Sequence, residues 1–294
     1  MADVLSRGSL FDPVLVKDLI NKVKGKSSIA VLSAQTPIPF NGRKEFTFTM
    51  DSEIDVVAEN GKKTHGGISL DPVTIIPIKV EYGARISDEF LYASEEEQLD
   101  ILKAFNDGFA SKLASGLDIM AFHGFNPRTG AASTVIGDNH FDAKVTQTVT
   151  YSASTPDANI EAAIAAVEGA DGDVTGMVIA PTVRANLAAM TKQSGEKLYP
   201  EFAFGGKPKS LGAHALDINK TVAVGDVDKA IIGDFTNMFK WGYAKEIPME
   251  IIKYGDPDNS GKDLKGYNQI YIRAEAYLGW GILDGNSFAR IVNA

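Results

Sequence analysis

The chain has 294 residues, 44% of them hydrophobic, with 38 acidic against 29 basic side chains and a formal charge of −9. That is the composition of a folded globular protein, and its thinly spread lysines and arginines argue against binding nucleic acid through a phosphate-neutralising patch. The absence of cysteine removes disulfides, thiol catalysis and cysteine-ligated zinc and suits a reducing cytoplasm; no segment has the length of a membrane span, and the N-terminus lacks the apolar core of a signal peptide.

In chain order, "DPVLVKDLINKVK" (12–24) predicts a short amphipathic helix, with Asp12 as cap, Pro13 in the first turn and Val16, Leu19, Ile20 and Val23 as one stripe. "KEFTFTM" then alternates strictly, placing Phe46, Phe48 and Met50 on one side of a strand and Glu45, Thr47 and Thr49 on the other. "EIDVVAENGKKTHGGISLDP" (53–72) predicts a two-stranded ribbon tipped by Glu59, Asn60, Gly61, Lys62 and Lys63, its return limb carrying Pro72 and Pro77, which confine it to edge or irregular pairing. Some fifteen residues each way would reach about 50 Å. A ribbon of that length finds no cover within its own domain, and its open edges and exposed faces suit a neighbouring copy.

"SEEEQLDILKAFNDGFASKLASGLDIMAFHG" predicts the strongest helix, capped by Ser94 with Glu97 three residues on, and with Leu99, Leu102, Phe105, Phe109, Leu113, Leu117 and Met120 as its buried stripe. Residues 125–155 read as polar turns. A compact α+β unit follows: "TPDANIEAAIAAVEG" as a helix with Thr155 as cap and Pro156 first, "GMVIAP" as a buried strand, "TVRANLAAMT" as a helix, and "KTVAVGDVDKAIIGDF" as two short strands parted by a turn. "MEIIKY" and "YNQIYIRAEAYLGWGILD" are long strands joined by "GDPDNSGKDLKG", and the apolar "SFARIVNA" pairs or packs at the end.

Motifs for catalysis or metal binding fail on their spacing. In "GDPDNSGKD" the residues Asp256, Asp258, Ser260 and Gly261 occupy positions one, three, five and six of a calcium loop, but position twelve is Tyr267 instead of Glu. As a phosphate loop it has one residue too many between Gly255 and Gly261 and Asp263 in place of Ser or Thr. A solvated turn is the expectation. His65, His123, His140 and His214 are scattered, and "GWGILDG" lacks the third glycine of a dinucleotide fingerprint. Catalytic residues, metal ligands and cofactors are therefore expected to be none. Lys62 and Lys63 carry one sharper reading, attack on a neighbour's Asn or Asp to form an isopeptide, against the favoured reading of ordinary salt-bridging lysines.

The order of parts resembles the major capsid proteins of tailed phages, the Hong Kong 97-type fold. The stretches that carry the likeness are "VEYGARISDEFLYAS", "MVIAPTVRANLAAMTKQSGEKLYP", "AIIGDFTNMFKWGYAKEIPMEIIKY" and "QIYIRAEAYLGWGILDGNSFARI". The resemblance implies an α+β fold with an N-terminal arm (1–39), an extended β-ribbon loop (40–80), a peripheral domain with a spine helix (81–124 and 235–283) and an axial domain (125–234 and 284–294). It implies pentamers and hexamers closing an icosahedral shell around double-stranded DNA, in a virion assembled in the host cytoplasm without a membrane. The short stretch before the ribbon implies a separate scaffolding protein, alongside a portal and a possible decoration protein. The residues at the ribbon tip become intersubunit contacts. An encapsulin-type nanocompartment is the alternative of the same fold, and a small enzyme or binding module on the unit from Thr155 to Asp234 the alternative of another class.

Overall fold

The computed structural model describes residues 27–92, 95–245 and 249–293; the helix expected at 12–24 and the Ser94 cap lie outside them. A five-residue helix α1 (Ser28–Leu32) precedes a two-stranded ribbon of β1 (Arg43–Met50) and β2 (Ile68–Ile75). The strands pair antiparallel over eight positions, from Arg43 opposite Ile75 to Met50 opposite Ile68, a length of about 26 Å. The ribbon is thus half as long as its sequence predicts. Pairing ends where Gly66 and Gly67 meet Asp51, whose amide donates to the Gly67 carbonyl at 3.2 Å while its Oδ1 accepts from the Gly67 amide at 2.6 Å. Beyond that closure Glu53–Val57 alternates without a partner strand, and the loop is tied by Thr64 Oγ1 donating to Asp55 Oδ2 at 2.7 Å and by a turn from Ala58 to Gly61.

A four-stranded antiparallel sheet forms around the fourteen-residue β11 (Gln269–Ile282), flanked by β3 (Ile78–Ser87) on one side and, in succession, β10 (Met249–Ile252) and β9 (Phe239–Lys245) on the other. The long helix α2 (Glu95–His123) has 29 residues, about 43 Å. Its stripe is buried from Leu102 through Phe109, Leu113, Leu117 and Met120, but Leu99 is 51% exposed. Near its N-terminus the helix meets only the small cluster of Phe90, Leu102, Ile270 and Ile272, and Leu99 lies off that contact.

The six-stranded sheet has the order β4–β12–β8–β5–β7–β6, from β4 (Thr148–Thr150), β12 (Phe288–Val292), β8 (Asp228–Gly233), β5 (Gly176–Ile179), β7 (His214–Ile218) and β6 (Ser210–Leu211). The helices α4 (Pro156–Glu168) and α5 (Pro181–Ala189) accompany it. Two local expectations are corrected here. Thr155 precedes α4 without a side-chain cap bond; Asn159 instead folds back to accept from the Ser152 amide at 2.7 Å. Lys220–Asp226 is a 3-10 turn rather than a strand, opened by Asn219, whose side chain accepts from the Thr221 amide. The stretch read as polar turns contains α3 (Phe141–Lys144), and Phe141 is wholly buried, its ring against those of Phe122, Phe235, Phe239 and Phe288. One continuous apolar core runs from the C-terminal half of α2 through these rings to both larger sheets.

Candidate assembly interface

The ribbon leaves the core from a closely fitted root. Residues 35–38 run beside β9, with the Thr36 amide donating to the Trp241 carbonyl at 2.8 Å and the Ile38 amide to Tyr243 at 3.2 Å. The approach is possible because residue 242 is glycine; a Cβ there would overlap the Thr36 carbonyl. Ile75, at the end of β2, is buried against Gly279 and Gly281 of β11, where a Cβ on Gly281 would sit 2.8 Å from Ile75 Cγ1. The "GWG" that fails as a nucleotide fingerprint therefore makes room for the ribbon.

Past this root the polarity of the ribbon is inverted relative to a domain strand. Phe46, Phe48 and Met50 of β1 stand opposite Pro72, Leu70 and Ile68 of β2 and, with side chains alternating between faces, share one face. The five with large apolar side chains are between 55% and 69% exposed. Glu45, on the other face, is half-buried and paired with Arg43 at 2.6 Å. In the loop beyond, Ile54 and Val56 are 96% and 94% exposed. Glu59, Asn60, Gly61, Lys62 and Lys63 form the exposed turn at the tip. A contiguous apolar face on a projecting ribbon is an interaction surface, because a lone chain leaves it in water.

Behind the ribbon, two buried polar junctions tie α2 to the rest of the fold. Asp118 accepts five hydrogen bonds: from Ser27 Oγ at 2.5 Å, the Ser28 and Ile29 amides at 2.9 and 3.2 Å, Asn219 Nδ2 at 3.1 Å and Thr221 Oγ1 at 3.0 Å. It caps α1 from another helix and fixes the point where the described chain begins. Burial pushes its carboxyl up to about 6, against the downward pull of the bonds from Ser27, Ser28, Ile29 and Thr221. The folded protein therefore holds this proton more tightly than the unfolded chain. The contribution is fully present below about pH 4 and is lost as the pH rises through about 6, a change of about 3 kcal/mol. Denaturant titrations of the wild type and Asp118→Asn at about pH 4.5 and 7.5 should show the wild type losing more stability than the variant between the two; parallel behaviour would refute the assignment.

The second junction holds His123, Asp142, Asp228 and Arg290. The His123 ring faces the Thr221 carbonyl through Nε2 at 3.1 Å and Asp142 Oδ2 through Nδ1 at 2.9 Å. A carbonyl only accepts, so Nε2 carries a proton. Arg290 donates to both Asp228 oxygens, with Nη2 at 2.9 Å from Asp228 Oδ1 and 3.0 Å from Asp142 Oδ1, while Nη1 reaches the Asp142 carbonyl at 3.1 Å. Burial first, then the Asp142 charge, pushes Asp228 up to about 7. Asp142 is raised by burial but drawn lower overall by the His123 hydrogen bond and charge and by Arg290. With one proton shared among His123, Asp142 and Asp228, the cluster is neutral. These three side chains lie close enough to approach one metal ion, but the Arg290 guanidinium already supplies the positive charge between the two carboxylates. The arrangement is that of a buried ion-pair network.

The loop expected to be solvated is pinned. Arg85, from β3, sends Nη2 to Asp256 Oδ1 at 2.6 Å, Asp258 Oδ1 at 2.5 Å, Ser260 Oγ at 2.7 Å and the Lys262 carbonyl at 2.9 Å. Those are positions one, three, five and seven of a calcium loop, and a guanidinium stands where the ion would. Arg85 first, through its hydrogen bond, holds the Asp258 carboxyl well below the usual carboxylate range. Arg85→Ala should free this loop: the Ser260 and Gly261 amides, which donate to Asp256 at 3.0 and 2.7 Å, exchange faster and trypsin cuts sooner at Lys262 and Lys265. Unchanged exchange and cleavage would show that the clip holds nothing.

An open groove of about 600 Å³, lined by Pro72, Ile76, Val135, Trp280 and Ile282 among others, lies at the ribbon root and outside the unit from Thr155 to Asp234. No described helix is long and apolar enough to cross a membrane.

A projecting ribbon with an apolar face, a long helix beneath it and a separate six-stranded sheet define a shell-forming protein. The chain belongs to the phage capsid family, whose profile matches residues 8–293, and its fold is the Hong Kong 97-type fold expected from the sequence. It is similar to solved structures from Mycobacterium phage Ogopogo (32% identity, TM-score 0.79, 92% of each chain covered) and Gordonia phage Cozz (25% identity, TM-score 0.76, covering 92% of this chain and 87% of that one). It shares its fold with the capsid of a native GTA particle computed with C5 symmetry, at 14% identity and TM-score 0.64 over 91% of this chain and 90% of that one. No curated protein sequence matches the chain.

Proposed function

We propose that this protein is a major capsid protein whose copies form pentamers and hexamers and close an icosahedral shell around double-stranded phage DNA. The observation that carries the reading is the apolar face of Phe46, Phe48, Met50, Ile68 and Leu70, which no other part of the described chain covers. Laid on a neighbouring copy, it buries area that a subunit cannot bury alone, and closed symmetry ends the growth. The excess of acidic groups suits a container that must not grip its cargo's phosphates. In this reading residues 1–39 form the arm, 40–80 the ribbon loop, 81–124 with 235–283 the peripheral domain, and 125–234 with 284–294 the axial domain. The tip residues Glu59–Lys63 touch the neighbour, and the role is structural, without catalysis. A scaffolding protein, a portal and possibly a decoration protein complete assembly in the host cytoplasm.

The test is expression with purification by sedimentation and negative-stain microscopy. Hollow or DNA-filled particles of megadalton mass are expected; a protein that stays monomeric at high concentration and yields no particles in infected cells would overturn the reading.

A further inference from the structure

The six-stranded sheet carries opposite charge at its two sides. Between Tyr151 and Val183 the chain has five acidic residues, Asp157, Glu161, Glu168, Asp171 and Asp173, and no lysine, arginine or histidine. Glu161 and Glu168 lie seven residues apart on α4, two turns along the same outward face, with exposed Ala158, Ala162 and Ala165 on that face. This helix packs over β4, β12 and β8, one half of the sheet.

At the other end of the strand order stands β6, entered through "GKPKSL". Lys207 and Lys209 are exposed there, and the Lys209 carbonyl accepts from the Leu216 amide at 2.8 Å, which sets this lysine beside β7. Among the described residues, none of Glu161, Glu168, Lys207 and Lys209 is in an ion pair. The outer strands of six at about 4.8 Å spacing are about 24 Å apart. Screening at about 8 Å then leaves the two charged edges of one chain nearly blind to each other.

We propose that these edges meet between copies: Lys207 and Lys209 of one chain face Glu161 and Glu168 of the next, head to tail. The occupant of each edge is a second copy, because the two surfaces complement each other in charge and sit on opposite sides of one rigid sheet. Repetition of such a heterologous contact closes a ring. The alanines between the glutamates leave a flat surface for close approach. The two-residue β6, flanked by lysines, is too short to extend the neighbour's sheet, so side chains make the contact. This inference rests on the shell reading above.

The test is charge reversal in the full chain. Lys207→Glu with Lys209→Glu, and separately Glu161→Lys with Glu168→Lys, should each raise the critical concentration for assembly about tenfold or more. These positions are on the surface, where substitution leaves the fold intact, and circular dichroism checks that. A chain with all four reversals should assemble again, as should a 1:1 mixture of the two doubly reversed chains. Wild-type assembly by either doubly reversed chain, or folded chains that neither the mixture nor the fourfold reversal rescues, would overturn the proposal. If the edges served another protein instead, both reversed chains would assemble like the wild type. A wild type that never forms particles would instead remove the shell reading itself.

Discussion

Phe48→Asp with Leu70→Asp, a directly opposed pair on the ribbon, is expected to leave a folded subunit that forms no particles. Both side chains are more than half exposed and contribute nothing to the core, so the circular dichroism spectrum and melting temperature of the subunit should match the wild type. Burying a large apolar side chain stabilises a contact by about 1.5–3 kcal/mol. Losing two therefore weakens each ribbon's contact by about 3–6 kcal/mol, roughly 100- to 10,000-fold, before the cost of burying the new charges. Since every subunit carries a ribbon, the loss multiplies through the shell. Phe48→Leu with Leu70→Ile keeps the surface apolar and should retain assembly. Light scattering and negative-stain microscopy decide the matter; wild-type particle yield from the double aspartate would show that this face meets no neighbour.

The second large effect concerns the subunit itself. Arg290→Met should destabilise it by about 3–5 kcal/mol, the usual consequence of removing one partner from a buried ion-pair network. Arg290 is hemmed in by Asp142 and Asp228 at 3.0 and 2.9 Å, and without it two buried carboxylates face each other. Asp228, already pushed up to about 7, would bind its proton more tightly still. The stability of the variant is then greatest at low pH and falls more steeply than that of the wild type as pH rises through neutrality. Adding Asp228→Asn removes one of the two charges and should recover part of the loss. Denaturant titrations across pH measure all three proteins; a small, pH-independent loss in Arg290→Met would mean that the guanidinium is only filling space.

Much of the fold is legible in local pattern. The alternation of "KEFTFTM" gives a strand, and the three- and four-residue spacing from Leu102 to Met120 gives the buried stripe of α2. What alternation cannot reveal is which face meets protein: Phe46, Phe48 and Met50 look like core residues by composition and stand in solvent, because their packing partner is not in the same chain. The ribbon was also read as longer than it is, since Glu53–Val57 has a strand's pattern but no strand opposite it. The likeness to tailed-phage capsid proteins was readable from four separated stretches in order, where no catalytic signature existed to find.

The buried junctions were not legible. Asp118 and His123 lie within an otherwise apolar stretch of α2, and their partners come from 19 to 103 residues away along the chain, brought together only by tertiary folding. The "DPDNSGKD" loop shows the opposite case. Its ligand positions were plain in the sequence, but the cation that fills them belongs to β3, 171 to 177 residues earlier. Spacing identified the cradle and could not identify its occupant.

That occupant has a bearing on life outside the cell. A calcium ion in such a loop exchanges with the medium, and dilution or a chelator withdraws it; a guanidinium on a peptide chain has a fixed stoichiometry and nowhere to diffuse. For a particle that must endure rain, soil or urine between hosts, the Arg85 clip makes this corner of the shell indifferent to water hardness.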